Sequence, residues 1–392
     1  MVPSSTLRLN PLVEGLAPPP IPAVQAFLQR YDGKRGPVID LSQAVPGYPP
    51  HPELLEHLGA AAARRELSGY GDIQGERVLR EAYAADVNAA YGATVSGGEV
   101  QITAGGNQAF FALALAMLRP GDNVIVIRPY YFNHEMTLRM LGVTVTEVDA
   151  DPANGFAPLA ERVAGAIDGR TRAVFVVTPN NPTGTIYDPA LLDELFEICR
   201  ARDVMLVADE TYRDFLPAEL PAPHGLFRKP DWQRNFVHLY SFSKVFCIPG
   251  HRLGAIVCGQ AVMDQLLKVM DNLQICAPRP PQHAVAWALR ALGDWRDGNR
   301  QIIDARRKTF IDSVGSLPGW QIVSIGAYFA YLSHPFGEES AMSVSETLAA
   351  DYGVLMLPGT CFGGNQERYL RAAFANAEVD VIATLATRLR AD

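Results

Sequence analysis

The sequence predicts an α/β fold in which a mostly parallel sheet lies between helices and is joined by a smaller α+β domain. Between residues 100 and 258, short apolar or β-branched runs alternate with helical segments, as in a parallel sheet covered on both faces. After residue 258 the alternation gives way to longer helices with a few strands. The chain of 392 residues is also too long for one small core, so we expect two domains.

The first 50 residues predict an extended arm. They are rich in proline and leave room for at most one short helix, over residues 21–30. Such an arm has no core of its own and must lie on another surface, for which a partner subunit is one candidate. Two helices are predicted next, over residues 52–67 and from about 75 to 91, with a glycine-containing break between them.

Seven strands are predicted from the alternating region, with a helix over residues 108–118 after the first. The strands are residues 100–103, 124–127, 144–148, 173–177, 204–208, 236–240 and 255–258. The later segment predicts, in order, helices over 260–273, 281–291 and 295–314, a strand over 327–332, a helix over 344–352, a short run at 354–357, a strand over 369–374 and a final helix. We therefore predict an arm with part of the small domain at 1–45, a large domain at 46–285 and a small domain at 286–392.

Charge and composition narrow the class of protein. The net charge of −8, without any run of lysine or arginine, argues against a nucleic-acid partner and against attraction to an anionic membrane. Five scattered cysteines without a C-x-x-C pair favour a reducing compartment over a disulfide framework or a zinc site. The longest apolar stretch, 109–118, is half of a membrane span, and no signal peptide is recognisable. We expect a soluble cytoplasmic protein without a bound metal.

Lys244 is unusual because it directly follows a buried strand. It lies in the stretch SFSKVFCIPGHRLG, residues 241–254, on a predicted loop, with Arg252 eight residues further on. A lysine amine held in a dry cleft beside another cation has a lowered pKa and becomes a nucleophile. The ordinary alternative is a solvated loop lysine, and Lys244 alone does not decide between the two.

Other chemically useful side chains follow the other strands, where ligands bind in sheets of this kind. Gly105 and Gly106 open a helix and either leave backbone amides for an anion or form only a tight turn. Asp209 ends a buried strand, which is costly without a partner such as a protonated ring nitrogen. No nucleophile–histidine–acid order and no metal-ligand spacing competes with these features. A lysine, a buried carboxylate, aromatic faces and an anion cradle together predict a site for pyridoxal 5′-phosphate (PLP).

The sequence resembles the class I/II aminotransferases, which are PLP-dependent enzymes of fold type I. The resemblance runs from about Asp40 to the C-terminus and rests on four motifs, NNPTG at 180–184, DETY at 209–212, SFSK at 241–244 and GHRLG at 250–254. It implies a seven-stranded, mostly parallel sheet and transfer of an amino group from an L-amino acid to a 2-oxo acid. The alternative is another PLP reaction at the same site, namely β-elimination as in a C–S lyase, cyclopropane formation, decarboxylation or oxidation.

The resemblance also implies a role for each matching residue. Lys244 forms a Schiff base with the cofactor and shuttles a proton, Asp209 pairs with the ring nitrogen, and Tyr212 is the third catalytic residue. Arg371 binds the substrate α-carboxylate, beside Asn181 and Ala44. The ring and its oxygen are contacted by Tyr131, Asn181 and Tyr212, with His134 behind Asp209. The phosphate contacts are Gly105, Gly106, Asn107, Ser241, Ser243, Arg252 and, from a neighbouring subunit of a homodimer, Tyr70.

Three positions depart from the family pattern without removing a catalytic group. Ala44 replaces a frequent glycine, Tyr131 replaces a commoner tryptophan or phenylalanine, and His251 replaces an aromatic residue or leucine. They leave the identity of the substrate open. Arg279 either binds an acidic side chain near the neighbouring site or is an ordinary solvated arginine. Two other classes of protein are disfavoured. The sequence lacks the basic DNA-binding segment expected of a ligand-binding regulator, and it lacks the G-x-G-x-x-G motif expected of a Rossmann dehydrogenase.

Overall fold

The computed structural model of the chain describes residues 8–220 and 222–390. In chain order the strands are β1 (Ile39–Asp40), β2 (Val100–Thr103), β3 (Asn123–Arg128), β4 (Thr144–Asp149), β5 (Thr171–Val177), β6 (Met205–Asp209), β7 (Phe236–Ser241), β8 (Gly254–Val257), β9 (Gln321–Gly326), β10 (Phe329–Ser333), β11 (Val354–Leu355), β12 (Leu357–Pro358) and β13 (Tyr369–Ala372).

The helices fill the connections between these strands and cover the sheets. They are α1 (Pro11–Glu14), α2 (Pro20–Gln25), α3 (Pro52–Ala62), α4 (Arg77–Tyr91), α5 (Gly106–Met117), α6 (Phe132–Met140), α7 (Ala160–Ala166), α8 (Pro189–Arg200), α9 (Phe242–Val245), α10 (Gln260–Leu273), α11 (Arg279–Ala291), α12 (Gly293–Val314), α13 (Ala341–Tyr352), α14 (Val379–Ala383) and α15 (Leu385–Arg388). Across residues 8–220 and 222–390, none of them is long and apolar enough to cross a membrane.

Seven strands form the central sheet in the order β2-β8-β7-β6-β5-β3-β4. All neighbouring pairs are parallel except the two that involve β8. This confirms the predicted seven-stranded, mostly parallel sheet. The register aligns Val177 with Asp209 and aligns Asp209 with Leu239, so the carboxyl ends of β5, β6 and β7 meet at one edge.

Both faces of the central sheet are buried, because successive side chains of a strand point to opposite faces. Val124 and Val126 of β3 pack in one apolar cluster together with α5 and α10. Ile125 and Ile127 of the same strand belong to a second cluster, which includes α4, α8 and α11. Burial on both sides explains why these strands are continuous apolar runs in the sequence.

The C-terminal third builds a second, antiparallel sheet in the order β12-β13-β10-β9. Beside it, β1 pairs in parallel with β11, so a strand from residue 39 onward joins the segment that follows α13. This pairing agrees with an arm that contributes to a small domain. The division at residues 45 and 285 stays a prediction.

The N-terminal arm differs from its prediction of at most one short helix. It holds α1, α2 and a 3₁₀ segment, Ala26–Arg30. Proline occupies the first turn of both helices, where its missing N–H would have had no intrahelical partner. The 3₁₀ segment contacts α13 and α1 contacts α6, so the surface beneath the arm belongs to the same chain.

Four further predictions were wrong in detail. The helix predicted to end at residue 67 ends at Ala62, and a 3₁₀ turn follows. The run at 354–357 is split between two sheets, and the final helix is split into α14 and α15. Strand β9 was not predicted, because it lies at a sheet edge with mostly half-buried side chains and has no continuous apolar run.

Gly184 tests the contact between the two sheets. Its φ is +74°, and a Cβ atom there would lie 2.3 Å from the carbonyl oxygen of Phe329 and 2.5 Å from the nitrogen of Gly326. We expect Gly184→Ala to lower the free energy of unfolding by about 1–3 kcal/mol more than Gly121→Ala, because only the former overpacks a contact. Gly121 is the matched control, with φ +89° and no atom within 4 Å of the added carbon.

The measurement is chemical denaturation of both variants beside the unmodified protein. Equal losses of stability would show that the cost comes from the left-handed backbone alone and that the contact between the sheets is not tight.

Candidate active site

A cavity of about 260 Å³ lies at the carboxyl edge of the central sheet. All but two of the residues predicted for the site line it, namely Ala44, Gly106, Asn107, Tyr131, His134, Asn181, Asp209, Tyr212, Ser241, Ser243, Lys244, Arg252 and Arg371. The exceptions are Gly105, which lies behind Arg252, and Tyr70. The four motifs are therefore brought together in space by the ends of β5, β6 and β7.

The sequence predicts a loop at Lys244, but the residue lies on the one-turn helix α9. Ser241 caps this helix by accepting a hydrogen bond from the backbone N–H of Ser243. The hydroxyls of Tyr48 and Tyr328 donate to the carbonyl oxygen of Lys244, at 3.0 and 3.4 Å. The backbone of the lysine is thus fixed from two sides while its side chain reaches the cavity.

The amine of Lys244 is surrounded by positive charge. It donates a hydrogen bond to the carbonyl oxygen of Ala44. Burial, followed by the charges of Arg371 and Arg252, lowers the pKa of Lys244 to about 8. A substantial share of this amine is therefore neutral, and nucleophilic, in mildly alkaline water.

Asp209 ends β6 and supplies the negative charge of the cavity. Its carboxylate accepts hydrogen bonds from the backbone N–H and the hydroxyl of Thr211, at 3.0 and 2.7 Å, and lies 3.5 Å from Nε2 of His134. Burial alone raises the pKa of Asp209, but the interactions with His134 and Thr211 outweigh it and hold the pKa below its usual value. Asp209 is therefore ionised and ready to pair with a cation.

One end of the cavity is built to receive an anion. Helix α5 begins beside it at Gly106, after Gly105 with φ +86°, and its first backbone N–H groups have no intrahelical acceptors. The guanidinium of Arg252 donates to the carbonyl oxygens of Pro249 and Ala104, at 2.8 and 3.2 Å. A Cβ on Gly105 would come within 2.3 Å of Arg252. Glycine thus permits the arginine to lie against the start of the helix.

Arg371 on β13 is a buried cation without an ionic partner. Its guanidinium donates to the side-chain oxygen of Asn181 at 3.2 Å and to the carbonyl oxygen of Ser42, and lies over the rings of Phe329 and Phe362. Within residues 8–220 and 222–390, no carboxylate lies within 4.0 Å of it and its Nε has no hydrogen-bond partner. Burial lowers its pKa to about 10. A buried guanidinium in this state fits a carboxylate ligand.

Tyr131 and Tyr212 supply neutral aromatic surfaces to the cavity. Tyr131 accepts a hydrogen bond from the Asn133 amide at 2.8 Å and meets His134 edge to face. Tyr212 packs against the rings of Tyr328 and Phe329. Burial raises the pKa of both tyrosines, so each keeps its hydroxyl proton.

Tyr70 is not part of the cavity of its own chain. Its side chain is 79% exposed. The preceding loop is held by Arg279, which pairs with Glu76 at 2.6 Å and donates to the carbonyl oxygens of Glu66 and Gly69 at 2.8 and 3.1 Å. Arg279 is thus neither solvated nor free, and its side chain is only 18% exposed.

Several residues that line the cavity were not predicted from the sequence. Gln43 and Val45 flank the predicted Ala44, and Thr211 lies within the DETY motif, so position alone could have indicated all three. Ile21 gave no comparable signal, since it lies on the proline-rich arm far from any motif. The arm brings it to the cavity.

The residues of the cavity fit PLP, which carries an aldehyde, a ring nitrogen and a phosphate. The neutral fraction of Lys244 fits the aldehyde, the ionised Asp209 fits a protonated ring nitrogen, and the start of α5 with Arg252 fits a phosphate. The unpaired Arg371 remains available for the carboxylate of a substrate.

Comparison with known proteins gives one consistent family. Residues 36–389 match the family described as aminotransferase class I and II. The chain is 30% identical over 359 residues to the aspartate/prephenate aminotransferase of Thermus thermophilus, covering 87% of this chain and 88% of the relative. It is 30% identical over 374 residues to the valine–pyruvate aminotransferase of Mycobacterium tuberculosis, covering 93% and 94%. The solved Thermus thermophilus aspartate aminotransferase with maleate superposes with a TM-score of 0.89 at 27% identity, covering 98% of this chain and 99% of that one.

The lowered pKa of Lys244 can be measured on the cofactor-free protein. We expect the rate of its acetylation by acetic anhydride, followed by mass spectrometry, to rise with pH around a midpoint near 8. A short lysine-containing model peptide serves as the control, because an unperturbed lysine titrates at about 10.4. Arg371→Gln should move the midpoint of Lys244 upward, because it removes a neighbouring positive charge.

The lowered pKa of Lys244 also determines how the free energy of unfolding changes with pH. The pKa of Lys244 is lower in the folded state, so its contribution to the free energy of unfolding increases as the pH rises from about 8 towards 10.5. A Lys244 midpoint equal to that of the model peptide would contradict the geometry described for the cavity.

Proposed function

The chain belongs to the class I and II aminotransferase family, and we propose that its cavity binds PLP and moves an amino group from an L-amino acid to a 2-oxo acid. The relatives compared above are named as aminotransferases, which supports the same reaction class for this chain. One observation carries the assignment to particular residues. The low-pKa amine of Lys244 opens into a cavity that also holds the ionised Asp209 and the unpaired Arg371.

The cofactor would be held by residues that the cavity already orients. The start of α5 at Gly106 and Asn107, together with Ser241, Ser243 and Arg252, would bind the phosphate. Asn181 and Tyr212 would hydrogen-bond the ring oxygen, and Tyr131 would cover one ring face. PLP, when bound, supplies an aldehyde that condenses with amines and a protonated ring that withdraws electrons from the substrate α-carbon.

The proposed work of the protein is to place charges and to move one proton. Asp209 keeps a negative charge where the ring nitrogen would lie, so protonation of that nitrogen is favoured. Arg371 and Asn181 would hold the α-carboxylate of the substrate and so fix its orientation. The neutral amine of Lys244 then accepts the proton from the α-carbon and returns it, and acid–base catalysis of this kind contributes about 10²–10⁴-fold.

The activity assay separates transamination from the other PLP reactions. The PLP-loaded protein is incubated with single amino acids, with and without a 2-oxo acid, and the keto and amino products are identified. We expect the new amino acid to appear only when the 2-oxo acid is present. Release of pyruvate and ammonia without an acceptor would reject the proposal in favour of β-elimination.

Replacing Lys244 tests its role as proton carrier. We expect Lys244→Ala to lower kcat by at least about 10²-fold, since the base is lost. Lys268→Ala is the matched control, because Lys268 is an exposed lysine on α10 and should leave kcat unchanged. Retention of turnover by Lys244→Ala would overturn the assignment.

We also propose a homodimer and a cytoplasmic location. Tyr70 is 79% exposed, and Leu273 and Ile275 are 40% and 36% exposed. Gly71 donates to the sulfur of Cys276, so the two exposed segments adjoin. An exposed apolar surface of this kind suits a second subunit. The five dispersed cysteines support a reducing compartment, which fractionation of cells that express a tagged chain would test.

The dimer can be measured directly. We expect sedimentation equilibrium at micromolar concentration to give twice the 42.7 kDa mass of one chain. Tyr70→Asp should raise the dissociation constant of the dimer, because it buries an unpaired charge, whereas Val379→Asp on α14, which packs against α12 and α15, serves as the control. A monomer at all concentrations would contradict the proposal.

A further inference from the structure

The side of the cavity that faces a substrate is formed by one uncharged segment, residues 42–45. Its backbone touches both groups that would hold the substrate, because the carbonyl oxygen of Ser42 accepts from Arg371 and that of Ala44 accepts from Lys244. Gln43, Ala44 and Val45 all line the cavity. This segment therefore adjoins the place where the α-carboxylate and the amino group of a substrate must lie.

The N-terminal arm adds an apolar side chain to the same cavity. Ile21 lines it from α2, and the 3₁₀ segment after this helix packs against α13. Val24, one turn further along α2, is buried and anchors the helix. The residues that close the cavity around a substrate side chain are thus an isoleucine, a valine, an alanine and one neutral amide.

The cations of the cavity are all required elsewhere. Among the residues that line it, only Lys244, Arg252 and Arg371 carry positive charge. Under the proposed function these three meet the aldehyde, the phosphate and the α-carboxylate, respectively. No cation of this lining remains for a second carboxylate, and Asp209 would repel one.

Arg279 does not supply the missing charge from its own position. It is paired with Glu76 and bonded to the carbonyl oxygens of Glu66 and Gly69, which engages both its Nε and its Nη1. A substrate that took the Nε or Nη1 donors would break an ion pair and release the loop that carries Tyr70. Two of the three guanidinium nitrogens of Arg279 therefore already hold its own chain, and the residue does not line the cavity.

We propose that the amino donor and the 2-oxo acceptor of this enzyme each carry a single carboxylate and an uncharged, mainly apolar side chain. This inference rests on the proposed function and specifies its substrate class. Both substrates occupy the same cavity in turn, so the same lining selects both. A second carboxylate placed against Ile21 and Val45 would lose its hydrating water without gaining an ionic partner. A dicarboxylic substrate should therefore bind more weakly and react more slowly than a neutral one.

Isosteric amino acids provide the sharpest test. The PLP-loaded enzyme is mixed with glutamine or glutamate, and with asparagine or aspartate, and the single-turnover reaction of the bound cofactor is followed by absorbance. Each pair has nearly the same shape and differs by one charge. We expect the second-order rate constant of this single-turnover reaction to be about 100-fold or more higher for the amide than for the corresponding acid. Leucine or valine should react at least as well as glutamine.

The outcomes separate this inference from the proposed function. If no amino acid reacts, the proposed function fails. If amino acids react but glutamate equals or exceeds glutamine, the proposed function stands and the inference fails. The full reaction with a 2-oxo acid gives a second comparison, in which pyruvate should be a better acceptor than 2-oxoglutarate.

Three substitutions test which residues make the selection. Gln43→Arg should raise the ratio of glutamate to glutamine reactivity about tenfold or more by supplying a cation. Ile21→Ala should lower the reactivity of leucine more than that of alanine, because only the longer side chain reaches the arm. Arg279→Gln should leave the glutamate-to-glutamine ratio unchanged, and a selective loss of glutamate reactivity there would show that Arg279 binds the second carboxylate. An unchanged ratio in Gln43→Arg would count against the assigned wall.

Discussion

The structure of the cavity depends on how three cations are held close together around one carboxylate, with Arg371 buried, Lys244 half-buried and Arg252 exposed. Lys244, Arg252 and Arg371 line one cavity, and Asp209 is the only carboxylate among the residues that line it. The repulsion is relieved locally, since the pKa of Lys244 is lowered, Arg371 lies over the rings of Phe329 and Phe362, and carbonyl oxygens accept from all three cations. Three local features position these cations. The capped turn of α9 carries Lys244, Gly105 leaves room for Arg252 beside the start of α5, and β13 carries Arg371.

A second group of buried charges, outside the cavity, consists of arginines that are paired with carboxylates. Arg213 pairs with Asp86 and lies against the rings of Tyr83 and Tyr240, while Arg296 joins Asp86 to Asp214. Each cation there has a carboxylate partner, as the cost of burying charge requires. Arg371 lacks one. Arg213 and Arg296 therefore stabilise the fold, whereas the unpaired guanidinium of Arg371 lines the cavity, where an anionic ligand could pair with it.

Sequence was sufficient where burial and chemistry leave an unambiguous pattern. Strands buried on both faces are continuous apolar runs, and a charged residue at the end of such a run, as at Asp209, has few structural explanations. It was insufficient where tertiary contacts decide. The edge strand β9 is half-buried and has no clear pattern, and Ile21 reaches the cavity only because the arm packs on α13. Lys244 lies on a helix of one turn, which is too short to show periodicity in sequence.

The carbonyl oxygens of Ser42 and Ala44 occupy, in the resting protein, the donors that a substrate and cofactor need. A ligand oxygen that bound Lys244 or Arg371 there would compete with a neutral peptide group. The two peptide groups belong to one short stretch of the N-terminal arm, so a ligand that displaced both would remove two contacts between the arm and the cavity.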